Sequence, residues 1–352
     1  MARVFLGMSG GVDSSAAAVL LRDAGYDVHG LHLSLLGALP LPEGCVPDDG
    51  DDAAAAAKAL GLPFHEIDLS ERFRRSVADY FIREYEAGRT PNPCVFCNRE
   101  IKFGAMWEAA RALGADCLAT GHYARIARDP ATGRYLLRRG ADPLKDQSYF
   151  LCRLTQEQLS RTLFPLGGLS KPRVRALAAE AGLRNAGKRD SQDICFVPDG
   201  DYVGLIERCV GHPSPTGAFL DRNGTVLGRH KGFIRYTKGQ HKGLGLPAEP
   251  PLYVLGKDPH ANAILLGHNE DLFAAEAVAG DWNWISVSAL TVPMEVTAKL
   301  RYSRRESAAT AEPLADGRVR LRFREPQRAV TPGQFAVLYD GETVVGGGII
   351  EE

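Results

Sequence analysis

Apolar runs and amphipathic stretches alternate along the chain from Ala2 to about Asp199. Ala2 to Met8 reads as a strand, and Asp13 to Asp23 as a helix closed by Gly25. Val28 to Leu35 predicts the next strand, Asp52 to Leu60 an alanine-rich helix, and Pro63 to Ile67 a further strand. A helix around Ile101 to Leu113 precedes a strand at Asp116 to Gly121. This rhythm predicts an α/β domain, a parallel sheet with helices on both faces. Such sheets take ligands at the carboxyl ends of their strands. The glycine loop after the first strand and the pair Gly121-His122 after a later one are therefore expected to share an edge.

After Asp199 the rhythm changes to glycine-rich turns and short strands with basic residues between them. Beyond about Glu276 the pattern is β. Val296 to Tyr302 and Val319 to Phe323 alternate, and Asp316-Gly317 and Asp340-Gly341 mark hairpins. The expected organisation is a catalytic α/β domain over 1–199, a small linking domain over 200–275 and a β-barrel over 276–352. Asp48 to Asp52 reads as a solvated acidic loop.

Composition adds limits rather than structure. The 352 residues are 45% hydrophobic and 24% charged, enough for two or three domains with real cores. No apolar run approaches the roughly 18 residues of a membrane span. The N-terminus lacks a secretory pattern, so a cytoplasmic location is expected. Seven cysteines, an odd number spread widely, read in a reducing compartment as thiol chemistry or metal ligation rather than a disulfide framework. With a net charge of −1, a nucleic-acid partner must be held by a local basic patch.

The first landmark is Ser9-Gly10-Gly11-Val12-Asp13-Ser14-Ser15, preceded by Gly7 and Met8. Glycines there let backbone N–H groups approach phosphate oxygens at a helix N-terminus, and three serines add hydroxyls. The commoner phosphate loop carries a lysine before its Ser/Thr. Here Asp13 stands in that place, which argues against γ-phosphate transfer and for a carboxylate holding Mg²⁺ against a pyrophosphate. The loop resembles that of the PP-loop ATP-pyrophosphatases, whose members adenylate a substrate oxygen and release pyrophosphate. They include amide and lysidine synthetases as well as tRNA thiolases.

Further landmarks narrow the choice: Thr90-Pro91-Asn92-Pro93-Cys94-Val95-Phe96-Cys97-Asn98-Arg99, Gly121-His122-Tyr123-Ala124, Lys145-Asp146-Gln147-Ser148, Asp190 to Val197 around Cys195, and Thr331-Pro332-Gly333-Gln334. Together, in this order and from the first strand to the end, they resemble the tRNA-specific 2-thiouridylases (the MnmA family). The resemblance implies an adenine nucleotide alpha hydrolase-like first domain and a cytoplasmic sulfurtransferase that uses ATP and Mg²⁺. Its substrate would be the wobble uridine of the lysine, glutamate and glutamine tRNAs. A cysteine desulfurase or sulfur-relay protein would supply the sulfur.

Thiolation of this kind requires two thiols that meet in space. A carbonyl oxygen leaves as AMP only after adenylation, sulfur arrives from a cysteine persulfide, and a second cysteine releases it. The resemblance assigns the persulfide to Cys195 and the nucleophile to Cys97. Cys97 is expected to open a helix whose dipole lowers its pKa, with help from Arg99 and Lys102. Cys45, Cys117, Cys152 and Cys209 read as inert thiols. Cys94 stands where some members carry aspartate. Cys94, Cys97 and Cys195 together have the donors for three irons of a [4Fe–4S] cluster, while the plainer role for Cys94 is to line the target-base pocket.

By family position, Leu33 and Gly121 face the nucleotide. Asn92, Pro93, Cys94, His122, Lys145, Asp146, Gln147, Arg301, Tyr302 and Gln334 face the tRNA. Leu33 stands in for a methionine and keeps the apolar contact. Arg229 to Lys242 and Arg301 to Arg305 are basic stretches able to grip phosphates, and Tyr302 is able to stack on a base. Tyr236 to His241 departs from the family's usual wording while keeping its positive charge. Two other classes stay open at this point. One is a different PP-loop reaction, which needs no cysteine pair; the other is a non-catalytic tRNA-binding protein that kept the fold.

Overall fold

The structure is a computed structural model and describes residues 1–42, 50–183, 194–247, 249–302 and 306–351. Cys45, Asp190 to Asp193, Arg304, Arg305 and part of the acidic stretch at Asp48 lie outside them. The first unit opens with β1 (Arg3–Gly7), α1 (Val12–Asp23), β2 (Asp27–Ser34), α2 (Asp51–Ala59) and β3 (Phe64–Asp68). Three helices follow, α3 (Ser70–Phe73), α4 (Asp79–Glu86) and α5 (Pro93–Phe96), then α6 (Met106–Ala112) and β4 (Cys117–Ala119).

A hairpin comes next, β5 (Ala124–Arg128) and β6 (Tyr135–Arg139), then α7 (Gln156–Ser160), β7 (Thr162–Leu163) and α8 (Lys171–Glu180). Strands β3-β2-β1-β4-β7 form one parallel sheet. Period-two alternation divides β1 between two cores. Val4 and Leu6 pack with α1, α2 and α8, while Phe5 packs with Met106 and Ala110 of α6. The expected two-faced sheet is present. The chain leaves β1 for β2 on one side, and β4 lies on the other, so this edge is the switch point at which such sheets bind ligands.

Helix α9 (Tyr202–Val210) leads into a second sheet made of β8 (Gly217–Leu220), β9 (Val226–His230), β10 (Tyr253–Asp258) and β11 (Ala263–Gly267). The last unit holds β12 (Phe273–Trp284), β13 (Met294–Lys299), β14 (Ser307–Pro313), β15 (Val319–Arg328), β16 (Phe335–Asp340) and β17 (Thr343–Ile350). Pairing of β12 with both β15 and β17 closes these six antiparallel strands into a barrel. Val319, Leu321 and Phe323 alternate inward, as the sequence pattern requires. Among the described residues no helix is long and apolar enough to cross a membrane.

Two features were not legible in the pattern. First, the β5–β6 hairpin of the first unit joins the barrel's sheet, Arg138 pairing with Thr343 of β17. Second, the helix expected at Ile101 to Leu113 begins at Pro93 and changes width twice. It is α-helical over Pro93–Phe96, π-helical over Cys97–Ala105 and α-helical again over Met106–Ala112. In the wide part the Met106 amide donates to the Ile101 carbonyl, five residues back. The Gln158 side-chain amide donates to the carbonyls of Arg99 and Phe103 at 2.8 and 3.2 Å. Gln158 is itself fixed in a reciprocal cap with Thr155 at the start of α7.

Candidate active site

The phosphate loop runs from the end of β1 into α1. Gly10 has φ of +68°, and a β-carbon there would collide with Asp52 of α2. The loop's hydroxyls are folded onto its own backbone. Ser14 and Ser15 both donate to the Gly11 carbonyl, at 3.2 and 3.0 Å, and the Ser9 amide donates to the Ser14 hydroxyl at 3.4 Å. Leu6 pairs with Ala119, so β1 and β4 end side by side, and Gly121 meets the loop as expected. A β-carbon on Gly121 would stand 3.0 Å from the backbone of Asp13 and Ser14, so only glycine fits without a shift. Leu33 lies at the end of the neighbouring β2, half-buried between two apolar clusters.

Asp13 does not stand open. Its carboxylate accepts from Lys171 Nζ at 2.8 and 2.7 Å and from the Tyr123 hydroxyl at 2.7 Å. Neither partner was singled out in the sequence; 158 positions separate Lys171 from Asp13. Tyr123 is held in turn by Gln147, which accepts from the Tyr123 amide and donates its own amide to the Tyr123 carbonyl, both at 2.9 Å. The Lys145-Asp146-Gln147 segment is therefore wired to the phosphate loop through one tyrosine.

Cys94 and Cys97 lie on the helix beside this edge, and Cys195 lies in a turn of a separate segment. Phe103 of the π-helical segment contacts the His122 ring at 5.9 Å, and His122 follows β4. His122 also hydrogen-bonds Thr120 Oγ1 at 2.7 Å, and burial with the nearby Lys102 charge holds it neutral. Cys97 is 7% exposed within an apolar cluster that also takes in Phe196, whereas Cys195 is exposed. Phe196 anchors the Cys195 segment edge-on against Phe81 and Phe73, at 5.3 and 5.4 Å.

Here the structure corrects an expectation. The helix starts four residues before Cys97, so its N-terminal dipole falls on Cys94, and burial outweighs any lowering. Burial pushes Cys97 up to about 12 and Cys94 to about 11. Atoms crowded around Cys195 push it up as well, although its surface is open. Among the described residues, Lys102 is the cation that pulls all three down. In an α-helix five residues would turn Lys102 about 140° away from Cys97; the π-helical segment brings positions five apart back onto one face.

The charge of Cys195 raises both other thiols, so the three share one neighbourhood. Yet among the described residues no group of three His, Cys, Asp or Glu is arranged to hold a metal ion. Cys94, Cys97 and Cys195 as placed do not fit an iron–sulfur cluster. Cys94, Cys97, Cys117, Cys152, Cys195 and Cys209 are all free thiols.

The residues expected at the tRNA divide into two kinds. Tyr302 is 37% exposed, with its ring 4.3 Å from Phe150 and Lys299 Nζ 5.1 Å from its centre. Lys145, half-buried after the exposed Leu144, lies near enough for its charge to act on the Tyr302 hydroxyl. The others are committed inward. Asp146 is 6% exposed and accepts from the amides of Gly140 and Ser148 and from the Ser148 hydroxyl. Arg301 donates to the carbonyls of Lys238 and Ala329 and to Thr331 Oγ1.

Gln334 donates to the carbonyls of Thr90 and Pro91 at 2.8 and 3.2 Å, fastening the barrel to the strand of chain that carries Asn92, Pro93 and Cys94. In the basic stretch, Arg229, Lys231, Arg235 and Lys242 are exposed, while His230 is buried and bonded to the Asn262 carbonyl.

Comparison with known proteins agrees with this arrangement. Family models match residues 2–199 (tRNA methyl transferase HUP domain), 206–268 (tRNA methyl transferase PRC-barrel domain) and 275–350 (aminomethyltransferase beta-barrel domain). The tRNA-specific 2-thiouridylase MnmA 1 of Caldanaerobacter subterraneus subsp. tengcongensis is 50% identical over 359 residues, covering 99% of this chain and 98% of its own. The MnmA of Moorella thermoacetica is 51% identical over 349 residues, covering 98% of each. That of Clostridioides difficile is 47% identical over 354 residues, with 99% and 98% covered. With this identity across nearly its full length, the chain belongs to the tRNA-specific 2-thiouridylase (MnmA) family.

Proposed function

We propose that the protein replaces O2 of a tRNA uridine with sulfur, using ATP. The uridine oxygen attacks the α-phosphorus of ATP held by the Ser9–Ser15 loop, and pyrophosphate leaves. Cys195 carries the incoming sulfur as a persulfide. The Cys97 thiolate attacks the inner sulfur, forms a Cys97–Cys195 disulfide and releases the outer sulfur as hydrosulfide. Hydrosulfide adds to C2, AMP departs with the oxygen, and an external thiol reductant restores the two cysteines.

The observation that carries this reading is the pairing of one open and one buried thiol: Cys97 lies on the helix that packs against the ATP-loop edge, and Cys195 lies in a separate turn close enough for its charge to act on Cys97. An exposed Cys195 suits loading by a cysteine desulfurase or relay protein. A buried Cys97 suits a thiol kept from stray oxidation until the base arrives. Asn92, Pro93 and Cys94 at the mouth of that helix would receive a uridine turned out of the anticodon stack, at a cost of a few kcal/mol. Tyr302, Lys299 and the exposed arginines and lysines of 229–242 would hold the anticodon arm, which the family resemblance takes from the lysine, glutamate and glutamine tRNAs. Mg²⁺ would accompany ATP in the cytoplasm, where both substrates are found.

Mass spectrometry of tRNA after incubation with ATP, a sulfur donor and the purified protein tests the reading. 2-Thiouridine is expected with the wild type and not with Cys97→Ser or Cys195→Ser. Full 2-thiouridine formation in both variants would sink the paired-thiol mechanism, and a wild type that forms none would return the protein to PP-loop chemistry of another kind.

A further inference from the structure

The wide turn of the thiol helix needs something to hold it. A π-helical stretch is rare, is met mostly at functional sites, and has carbonyls with lone pairs to spare for further donors. The oxygens of Arg99 and Phe103 are taken by one side chain, Gln158, and both bonds come from its Nε2. A planar NH2 aims its two hydrogens about 120° apart, so bonds of these lengths span about 5 Å. In an α-helix, carbonyls four residues apart stand about 6 Å apart along the axis. Adding residues to each turn flattens the helix and draws them together. The donor pair of Gln158 therefore matches the wide form better than the α form. Gly104 lets the turn close: a β-carbon there would stand 3.0 Å from the Arg99 oxygen, crowding the carbonyl that Gln158 takes.

The rest of Gln158 is fixed as well. Its Oε1 accepts the Thr155 amide at 3.0 Å, and its own amide donates to Thr155 Oγ1 at 3.1 Å. The Gln158 carbonyl accepts from Thr162 Oγ1 at 2.7 Å, and Thr162 opens β7, which pairs with β4. The side chain is thus a strut from the parallel sheet to the thiol helix. The segment it holds carries Cys97 at its first position and Lys102 five residues on. The half-buried Lys102 is near enough for its charge to act on Cys94, Cys97, Cys195 and His122. On Cys97 the titratable groups that act are Lys102, which lowers it, and Cys195 and Cys94, which raise it.

We propose that Gln158 is a positioning residue: by bridging Arg99 and Phe103 it holds Cys97–Ala105 in the wide form and so keeps the Lys102 ammonium beside the Cys97 sulfur. The proposal rests on the reading of Cys97 as the nucleophile given above. Gln158 acts through the helix backbone. Without it the segment relaxes towards α geometry, Lys102 turns away, and the Cys97 anion loses its nearby cation.

The test is the rate of Cys97 alkylation by iodoacetamide from pH 7 to 9, read by peptide mass spectrometry without ATP, tRNA or sulfur donor. It compares wild type, Lys102→Met, Gln158→Leu and the Lys102→Met/Gln158→Leu double variant. Lys102→Met is expected to slow alkylation roughly three- to tenfold at each pH. Fewer molecules then carry the thiolate, and its greater basicity recovers only part of the rate. Gln158→Leu is expected to slow alkylation in the same range. The double variant is expected to match Lys102→Met, because both changes act through one ammonium. A merely structural glutamine would do the reverse: a loosened fold bares a buried thiol and speeds its alkylation.

Should Gln158→Leu fail to fold, Gln158→Glu, which keeps the accepting half of the cap, takes its place. Alkylation of the Gln158 variant as fast as wild type or faster, or a double variant slower than Lys102→Met, would overturn the proposal alone. A wild type that forms no 2-thiouridine would overturn the functional reading beneath it and leave the alkylation comparison standing.

Discussion

The edge of the parallel sheet and the surface of the barrel both carry residues assigned to substrates, but they use them differently. At the sheet edge the assigned groups face one another across strand ends: loop, Gly121, Asp13 and the thiol helix form one neighbourhood. At the barrel, two of the three assigned residues are fasteners. Arg301 ties β13's end to Lys238 of the second unit, and Gln334 ties the barrel to Thr90 and Pro91. Only Tyr302 presents itself outward. A motif in the first region reports the proposed chemistry, whereas in the second it reports largely how the segment proposed to receive the target base is held in place. The distinction follows from topology: a switch point gathers loops into a crevice, while a closed barrel has no crevice of its own and contributes by docking.

The contrast is sharpest in the thiols. Cys97→Ser and Cys195→Ser are each expected to lower thiolation about 1000-fold or more, with little change in thermal unfolding, since an alcohol cannot replace the thiolate. Loss of thiolation in only one variant would break the assignment of paired roles. Next comes pH. With Cys97 raised to about 12, its thiolate is a minor species at neutral pH. The sulfur-transfer rate is expected to rise about tenfold per pH unit between pH 7 and 9. Lys102→Met, which removes the charge that lowers all three thiols, is expected to slow transfer at every pH in that range. A flat single-turnover profile would show that Cys97 is not the nucleophile.

The same shift has a stability side. A thiol whose folded pKa lies above the ordinary value of 9.0 contributes its stability fully below that value and loses it as pH climbs towards about 12. Cys97→Ser is therefore expected to flatten the alkaline limb of the unfolding curve.

Smaller effects separate the two kinds of barrel residue. Tyr302→Ala is expected to weaken tRNA binding by roughly 1–3 kcal/mol, the value of a lost base stack, without altering stability. Gln334→Ala is expected to cost about 1–2 kcal/mol of stability through its two lost hydrogen bonds and to lower the thiolation kcat more than the tRNA affinity. A Gln334→Ala protein with unchanged unfolding and weaker tRNA binding would move Gln334 from fastener to tRNA contact. Binding and differential scanning calorimetry distinguish the outcomes.

The reach of the sequence can be traced residue by residue. The loop at Ser9 to Ser15, its strand and helix, the adjacency of Gly121 and the Asp-Gly hairpins were all legible, because each depends on spacing within one or two elements. The lowered pKa expected at Cys97 is not found, because the helix opens not at Cys97 but at Pro93, which is itself a start signal. The widened helix was not legible at all: the glutamine that bonds its Arg99 and Phe103 carbonyls lies 59 residues from Arg99 in the chain.

Local pattern thus determined the α/β order, the nucleotide loop and the barrel strands, while the two thiols of the proposed chemistry were picked out by the family resemblance. Tertiary structure alone decided that Asp13 is paired with Lys171 and Tyr123, that Lys102 shares a face with Cys97, and that Arg301 and Gln334 bind the units together. The reason is physical. Dihedral preference and hydrophobic period act over a few residues and are written where they act. A buried charge must find its counter-charge wherever folding brings one, and that address is set by packing across 158 positions, not by any neighbour in the chain.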